Sequence, residues 1–179
     1  MERPSGPRER PNRMRAFGVV LAAAAAPITV PTPTAQPAPQ PTLATVTAGA
    51  TYGTQVIALE NAARAHAHPG CVPLREDPAI TKAATEHSQD MRSKNYLGHD
   101  SATKESPWDR MKAAGYTATA AENVAAGYAT PQDVVSGWMD DAGHKANILN
   151  CSIKATGVGY VPADKPGTGP WWTQDFGYR

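Results

Sequence analysis

The chain has 179 residues, with 17 Lys and Arg against 16 Asp and Glu, five His and only two Cys. Its formal net charge of +1 hides an asymmetry: residues 1–50 hold five Arg and two Glu, so the remainder carries 12 basic and 14 acidic groups. A slightly acidic remainder without a basic stripe gives no electrostatic reason to expect nucleic acid as a partner.

Residues 1–30 read as a secretory signal peptide. Arg8, Arg10, Arg13 and Arg15 precede an apolar run from Phe17 to Ala26, closed by Pro27. Such a run is too short to span a bilayer, which takes about 20 residues. A cytosolic start with a chance alanine run is the alternative. Met14 is a second candidate start, and prolines crowd the candidate cleavage points near Ala23 to Ala26. Residues 31–50 are a Pro/Thr/Ala linker that cannot bury enough apolar surface to order itself. All four Trp, all six Tyr, all five His and both Cys follow residue 50. The folded unit is therefore 51–179, long enough to bury roughly two thirds of its unfolded surface. The chain is expected to be secreted, without a membrane span, as a monomer.

Export makes the cysteines readable, because an oxidising compartment favours pairing Cys71 with Cys151. Two free buried thiols are the alternative. Pairing removes the only candidate thiol nucleophiles.

Helical spacing runs from Thr51 to Ala67, with Val56, Leu59 and Ala63 on one face and Glu60 and Arg64 able to pair at i,i+4. His66 and His68, at the end of this helix, are read as solvated rather than as a metal clip. Asp77 and Pro78 form a helix start, cap followed by proline at the first helical position. The helix that follows places Ile80, Ala83, Ala84, His87 and Met91 on one stripe. His87 is then either a core histidine bonded to backbone or a ligand inside a cleft. Ser106 and Pro107 begin a short helix that Gly115-Tyr116 ends, and Pro131 opens another with Val134, Val135, Trp138 and Met139 inward. Continued at the same phase, that helix brings Asp141 onto its buried stripe and leaves Asp140 solvated. Strands are expected at 156–161 and 171–178, joined as an antiparallel hairpin by Asp164-Lys-Pro-Gly-Thr-Gly-Pro170. Helices first and strands last give an α+β fold.

Five stretches in order, NYLGHDS (95–101), AENVAAGY (121–128), VVSGWMDDAGHKANILN (134–150), GVGY (157–160) and WWTQDFG (171–177), resemble a bacterial CAP domain. That superfamily takes in cysteine-rich secretory proteins, antigen 5 and plant pathogenesis-related 1 proteins. The resemblance covers about 54–178 and implies an α-β-α sandwich, with a small antiparallel sheet between helices and a central cleft. By position it implies that His99, Glu122, Asp141 and His144 face this cleft and can hold a divalent metal. Two imidazoles with one or two carboxylates suit Zn²⁺ or another divalent cation. The same four groups could instead form a hydrogen-bonded cluster without metal. Ser101, Asn123 and His87 are further cleft candidates, Ser101 being the serine beside a cleft histidine. The resemblance implies a non-enzymatic binding module for a lipid or sterol-like, cell-wall or protein ligand. A metal-assisted, peptidase-like hydrolase using Glu122 as general base is the alternative.

Overall fold

The computed structural model describes residues 51–179; the signal peptide and linker expected over 1–30 and 31–50 lie outside them. In chain order the elements are α1 (Tyr52–Ala67), β1 (Arg75–Glu76), α2 (Pro78–Lys94), α3 (Pro107–Ala113), β2 (Thr119–Ala126), α4 (Pro131–Asp140), α5 (Ala142–Leu149), β3 (Ala155–Val161) and β4 (Trp171–Gly177). No helix among the described residues is long and apolar enough to cross a membrane.

The helix starts follow from their caps. Thr51, Asp77, Ser106 and Thr130 each accept a backbone N–H from the first turn they precede, and proline stands next at α2, α3 and α4, where its missing N–H costs nothing. Asn95, in left-handed conformation (φ 51°), stops α2.

The four strands lie in the order β1-β3-β4-β2. The expected hairpin is present, since β3 and β4 pair antiparallel from Ala155↔Gly177 to Val161↔Trp171. The sheet is mixed, however, because the two-residue β1 adds to β3 in parallel. β2, whose run of small residues carries little strand signal, pairs antiparallel with β4.

β4 reads as an alternating strand, yet all seven of its residues are buried. The reason is layering: Trp172 and Phe176 pack with Val56, Val134 and Trp138 of α1 and α4, while Trp171 packs with Met91 of α2. Both faces of the sheet are covered, giving an α-β-α sandwich. Ile80, Met111 and Tyr116 complete the α2/α3 side.

The buried face of α1 is also wider than its apolar pattern. Glu60 and Arg64 lie inside it, and Leu59 packs only at its margin. Arg64 donates to Ile148 O, Asn150 O, Val72 O and Ile153 O at 2.7–3.0 Å. These carbonyls flank the two cysteines, and Cys71 and Cys151 form the expected disulfide with Cα atoms 5.1 Å apart. His66 and His68 are exposed.

Candidate ligand-binding site

Between α3, β2 and α5 lies an open cleft of about 550 Å³, lined by His99, Trp108, Glu122 and Asn147 among others. Loop 95–106 brings His99 to it. Asp90, on the last turns of α2, accepts from Tyr96 Oη at 2.6 Å and Ala102 N at 3.0 Å and pairs with Lys94. Burial works against its charged form, but these donors outweigh that and hold the carboxyl at about 2. Ser101 Oγ lies 3.0 Å from Thr103 Oγ1 and accepts from Glu105 N at 3.0 Å. The loop is thus tied down from within, and the Ser101 hydroxyl is spent on the tie.

β2 delivers Glu122 to the α2/α3 face. Its Oε1 is 2.8 Å from His99 Nδ1, and its Oε2 accepts from Arg110 Nη2 at 2.5 Å. The Glu122 side chain is buried and that of His99 is 56% exposed, so the carboxylate is a fixed base-plate and the imidazole a presented group. The hydrogen bond to Glu122 is the first cause of a raised His99 pKa. Arg110 Nη1 also holds Glu105 O at 2.9 Å, which joins α3 to the loop.

Asp175 stands opposite Glu122 on β4, in register and therefore on the same face. It is wholly buried and neither carboxylate oxygen has a hydrogen-bond donor. Burial, and then the charge of Glu122, push its pKa well up. The neutral carboxyl can donate toward Glu122, whereas a second carboxylate could not. His87 sits nearby, also fully buried, with Nε2 2.8 Å from Gly98 O. Burial lowers its pKa, so it is a neutral core histidine supporting the loop from behind.

The far wall comes from α5. Asn123 is buried, accepts from Asn147 Nδ2 at 2.9 Å and donates to His144 O at 3.4 Å, and Asn147 also reaches Glu122 O at 3.4 Å. These amides dock α5 on β2. Asp141 is not on an inner stripe. α4 ends at Asp140, and Asp141 is extended (φ −94°, ψ 129°), exposed, and caps α5 through Gly143 N and His144 N at 2.9 Å each. Asp140 is exposed as well. The helical phase fails because the helix breaks one residue before it applies. His144 Nδ1 is 3.2 Å from Asp141 Oδ1.

The four residues that the resemblance assigns to a metal thus appear as two histidine–carboxylate pairs, His99–Glu122 and His144–Asp141. They do not form one four-donor set: Glu122 has both oxygens engaged, one by a guanidinium, and Asp141 points its Oδ1 at backbone N–H groups. Among the described residues no group of three or more His, Cys, Asp or Glu is placed to hold a metal ion. Arg110, Asp175 and Asn147 are site residues that sequence reasoning missed. A lone acid within WWTQDFG, flanked by aromatic residues, was the available signal for a buried carboxyl. Nothing local marks Arg110.

The cysteine-rich secretory protein (CAP) family model matches residues 57–176. "Uncharacterized protein YkwD" of Bacillus subtilis (strain 168) is 44% identical over 126 residues, 70% of this chain and 46% of YkwD. "Uncharacterized membrane protein YlbC" of the same organism is 32% identical over 106 residues, 59% of this chain and 30% of YlbC. The chain therefore spans less than half the length of these relatives. Among solved structures, an extracellular protein containing a SCP domain from Bacillus anthracis str. Ames superposes with a TM-score of 0.63 at 29% identity. The match covers 72% of this chain and 40% of that one. An outer surface protein from Borrelia burgdorferi, at 15% identity and a TM-score of 0.56 over 72% of this chain and 90% of its own, shares the fold.

Proposed function

The chain belongs to the cysteine-rich secretory protein family, and from that premise we propose that it is an exported module that captures its ligand in the cleft between α3 and β2 without turning it over. The observation that carries this reading is how Glu122 is used. A general base must reach the proton it takes, and the Glu122 side chain is buried, with one oxygen against His99 and the other held by the Arg110 guanidinium. The nucleophile candidates are spent too: Ser101 ties its own loop and the cysteines are paired. Export is supported by the arginine-flanked apolar run at 1–30 and by the disulfide. The Bacillus anthracis relative, an extracellular protein by name, points the same way.

A divalent cation is the second reading, favoured by one feature. Each imidazole uses Nδ1 on a carboxylate and keeps Nε2 open, as a carboxylate-oriented metal histidine does. In that case His99 and His144 would be the ligands, Glu122 and Asp141 would orient them, and the cation would supply Lewis acidity.

The test is titration of the secreted protein with Zn²⁺, phospholipid vesicles, soluble cell-wall oligosaccharides and peptides, followed by calorimetry, amide chemical shifts and mass spectrometry of each ligand. The expected result is saturable binding of at least one probe, shifts confined to loop 95–106, α3, β2 and α5, and an unchanged ligand mass. A new ligand mass that disappears in His99→Ala overturns binding without turnover. Zn²⁺ heat identical in wild type and His99→Ala/His144→Ala overturns the cation reading.

A further inference from the structure

We propose that the occupant of this cleft is a saccharide, and that Trp108 is the platform against which a sugar ring packs. This inference rests on the reading of the cleft as a binding site and names its ligand class.

Trp108 differs from the other tryptophans of the fold. Trp138, Trp171 and Trp172 are buried, and each indole N–H donates to a backbone carbonyl, of Val124, Tyr96 and Tyr128 respectively. That is the ordinary fate of an indole in a folded chain. Trp108 is 49% exposed, its N–H has no partner among the described residues, and it lines the cleft. Its backbone is nonetheless fixed. It follows buried Pro107 at the start of α3, and the reciprocal Ser106–Asp109 capping box locks that turn. An aromatic side chain with two torsions on an anchored backbone costs little conformational entropy when a ligand settles on it.

Across the cleft the polar groups are as well prepared. Asn147 has its amide nitrogen committed to Asn123 and Glu122, which orients its Oδ1 without consuming it. His99 is oriented by Glu122 through Nδ1, which leaves Nε2. Asp100 is exposed and lines the same cleft. A planar aromatic wall facing an amide, an imidazole and a carboxylate matches a pyranose, which has apolar C–H faces and a rim of hydroxyls that both donate and accept. The volume of about 550 Å³ lies within the roughly 300–1,000 Å³ usual for small-molecule sites.

Other ligand chemistries fit less well. An acyl chain or sterol gains about 0.8 kcal/mol for each methylene taken fully out of water, which requires an enclosed apolar wall. Here the apolar lining is one indole, Pro107 and the methyl groups of Ala120 and Ala121, in a cleft that is open rather than enclosed. A peptide added as a strand needs a free edge on β2. That edge is bridged at Glu122 O by Asn147.

The experiment uses the secreted chain and three probes: a soluble β-1,4-linked N-acetylglucosamine oligomer, phosphatidylglycerol vesicles, and an unstructured peptide. Tryptophan emission and its quenching by acrylamide are read beside calorimetry. We expect saturable oligosaccharide binding that protects one tryptophan from quenching. Trp108→Ala should weaken it at least about tenfold, a loss within the range of one aromatic contact plus its buried area, while Trp108→Phe retains part of the affinity. Both variants should melt like wild type, because the indole supports no core. Oligosaccharide binding indifferent to Trp108→Ala overturns the inference. Binding of vesicles or peptide but not sugar also overturns it and leaves the binding-module reading standing. Silence with all three probes counts against both.

Discussion

Glu122 and Arg110 form the pair on which the site is built, and both are taken out of water. Removing one member of a buried pair leaves an uncompensated charge and costs roughly 3–5 kcal/mol. Neighbouring Asp175 carries no positive charge that could replace the guanidinium. Arg110→Met is therefore expected to lower the urea midpoint sharply, and Glu122→Gln introduced beside it to recover much of the loss. A double-mutant cycle by urea unfolding measures the coupling, and a coupling near zero would remove the pair from its assigned place. Glu122 and His99 were legible in the sequence because each sits in a short recognisable motif. Arg110 and Asp175 were not, since they lie 12 and 53 positions from Glu122 and only the folded sheet and helix bring them together. Asp141 was misread for the opposite reason. Its role is local, a cap, but the reading extended helical phase across a break that Asp141 itself creates.

At the scale of elements, the contact that sets the layer spacing is α2 on β3. Gly157 and Gly159 face α2, and a Cβ on either would run into its backbone, at Ile80–Thr81 and Ala84–Thr85 respectively. Backbone cannot rotate away as a side-chain tip can, so the helix would have to lift. Overpacking usually costs about 1–3 kcal/mol, and Gly157→Ala is expected at or above the top of that range. Unfolding of Gly157→Ala in urea checks it; a midpoint equal to wild type would show that α2 does not depend on this approach. The helix starts at Asp77, Ser106 and Pro131 and the strands β3 and β4 were readable, because caps, prolines and alternation are local signals. The burial of both faces of β4 was not, nor were β1 and the eight-residue β2. A sheet becomes a middle layer only when helices from distant parts of the sequence close on both sides, and a two-residue parallel strand carries no pattern.

The molecule as a whole is held across its α1 side by a disulfide and by Arg64, which together bind the segments around Cys71 and Cys151. The sequence showed the first and offered Arg64 only as an i,i+4 partner of Glu60. Beside Arg64 lies Glu60, completely buried, with Oε2 accepting from Gln174 Nε2 at 2.5 Å and Oε1 without a partner. Burial raises its carboxyl to about 8, opposed by the Gln174 hydrogen bond and the Arg64 charge. The folded chain thus binds a proton here that the unfolded chain, titrating near 4.5, has already released. Stability from this group is complete below about pH 4.5, falls as pH rises toward about 8, and levels off above it, a loss on the order of a few kcal/mol. Asp175 adds a slope of the same sign and His87 one of opposite sign, and both persist in a Glu60 variant. Glu60→Gln keeps an acceptor for Gln174 and never ionises. Melting temperatures of wild type and Glu60→Gln, measured from about pH 5 to about pH 9, should therefore diverge as pH rises, with the wild type losing stability faster. Parallel curves would mean that Glu60 is ionised within the fold across this range, and that Arg64 and Gln174 compensate its burial after all.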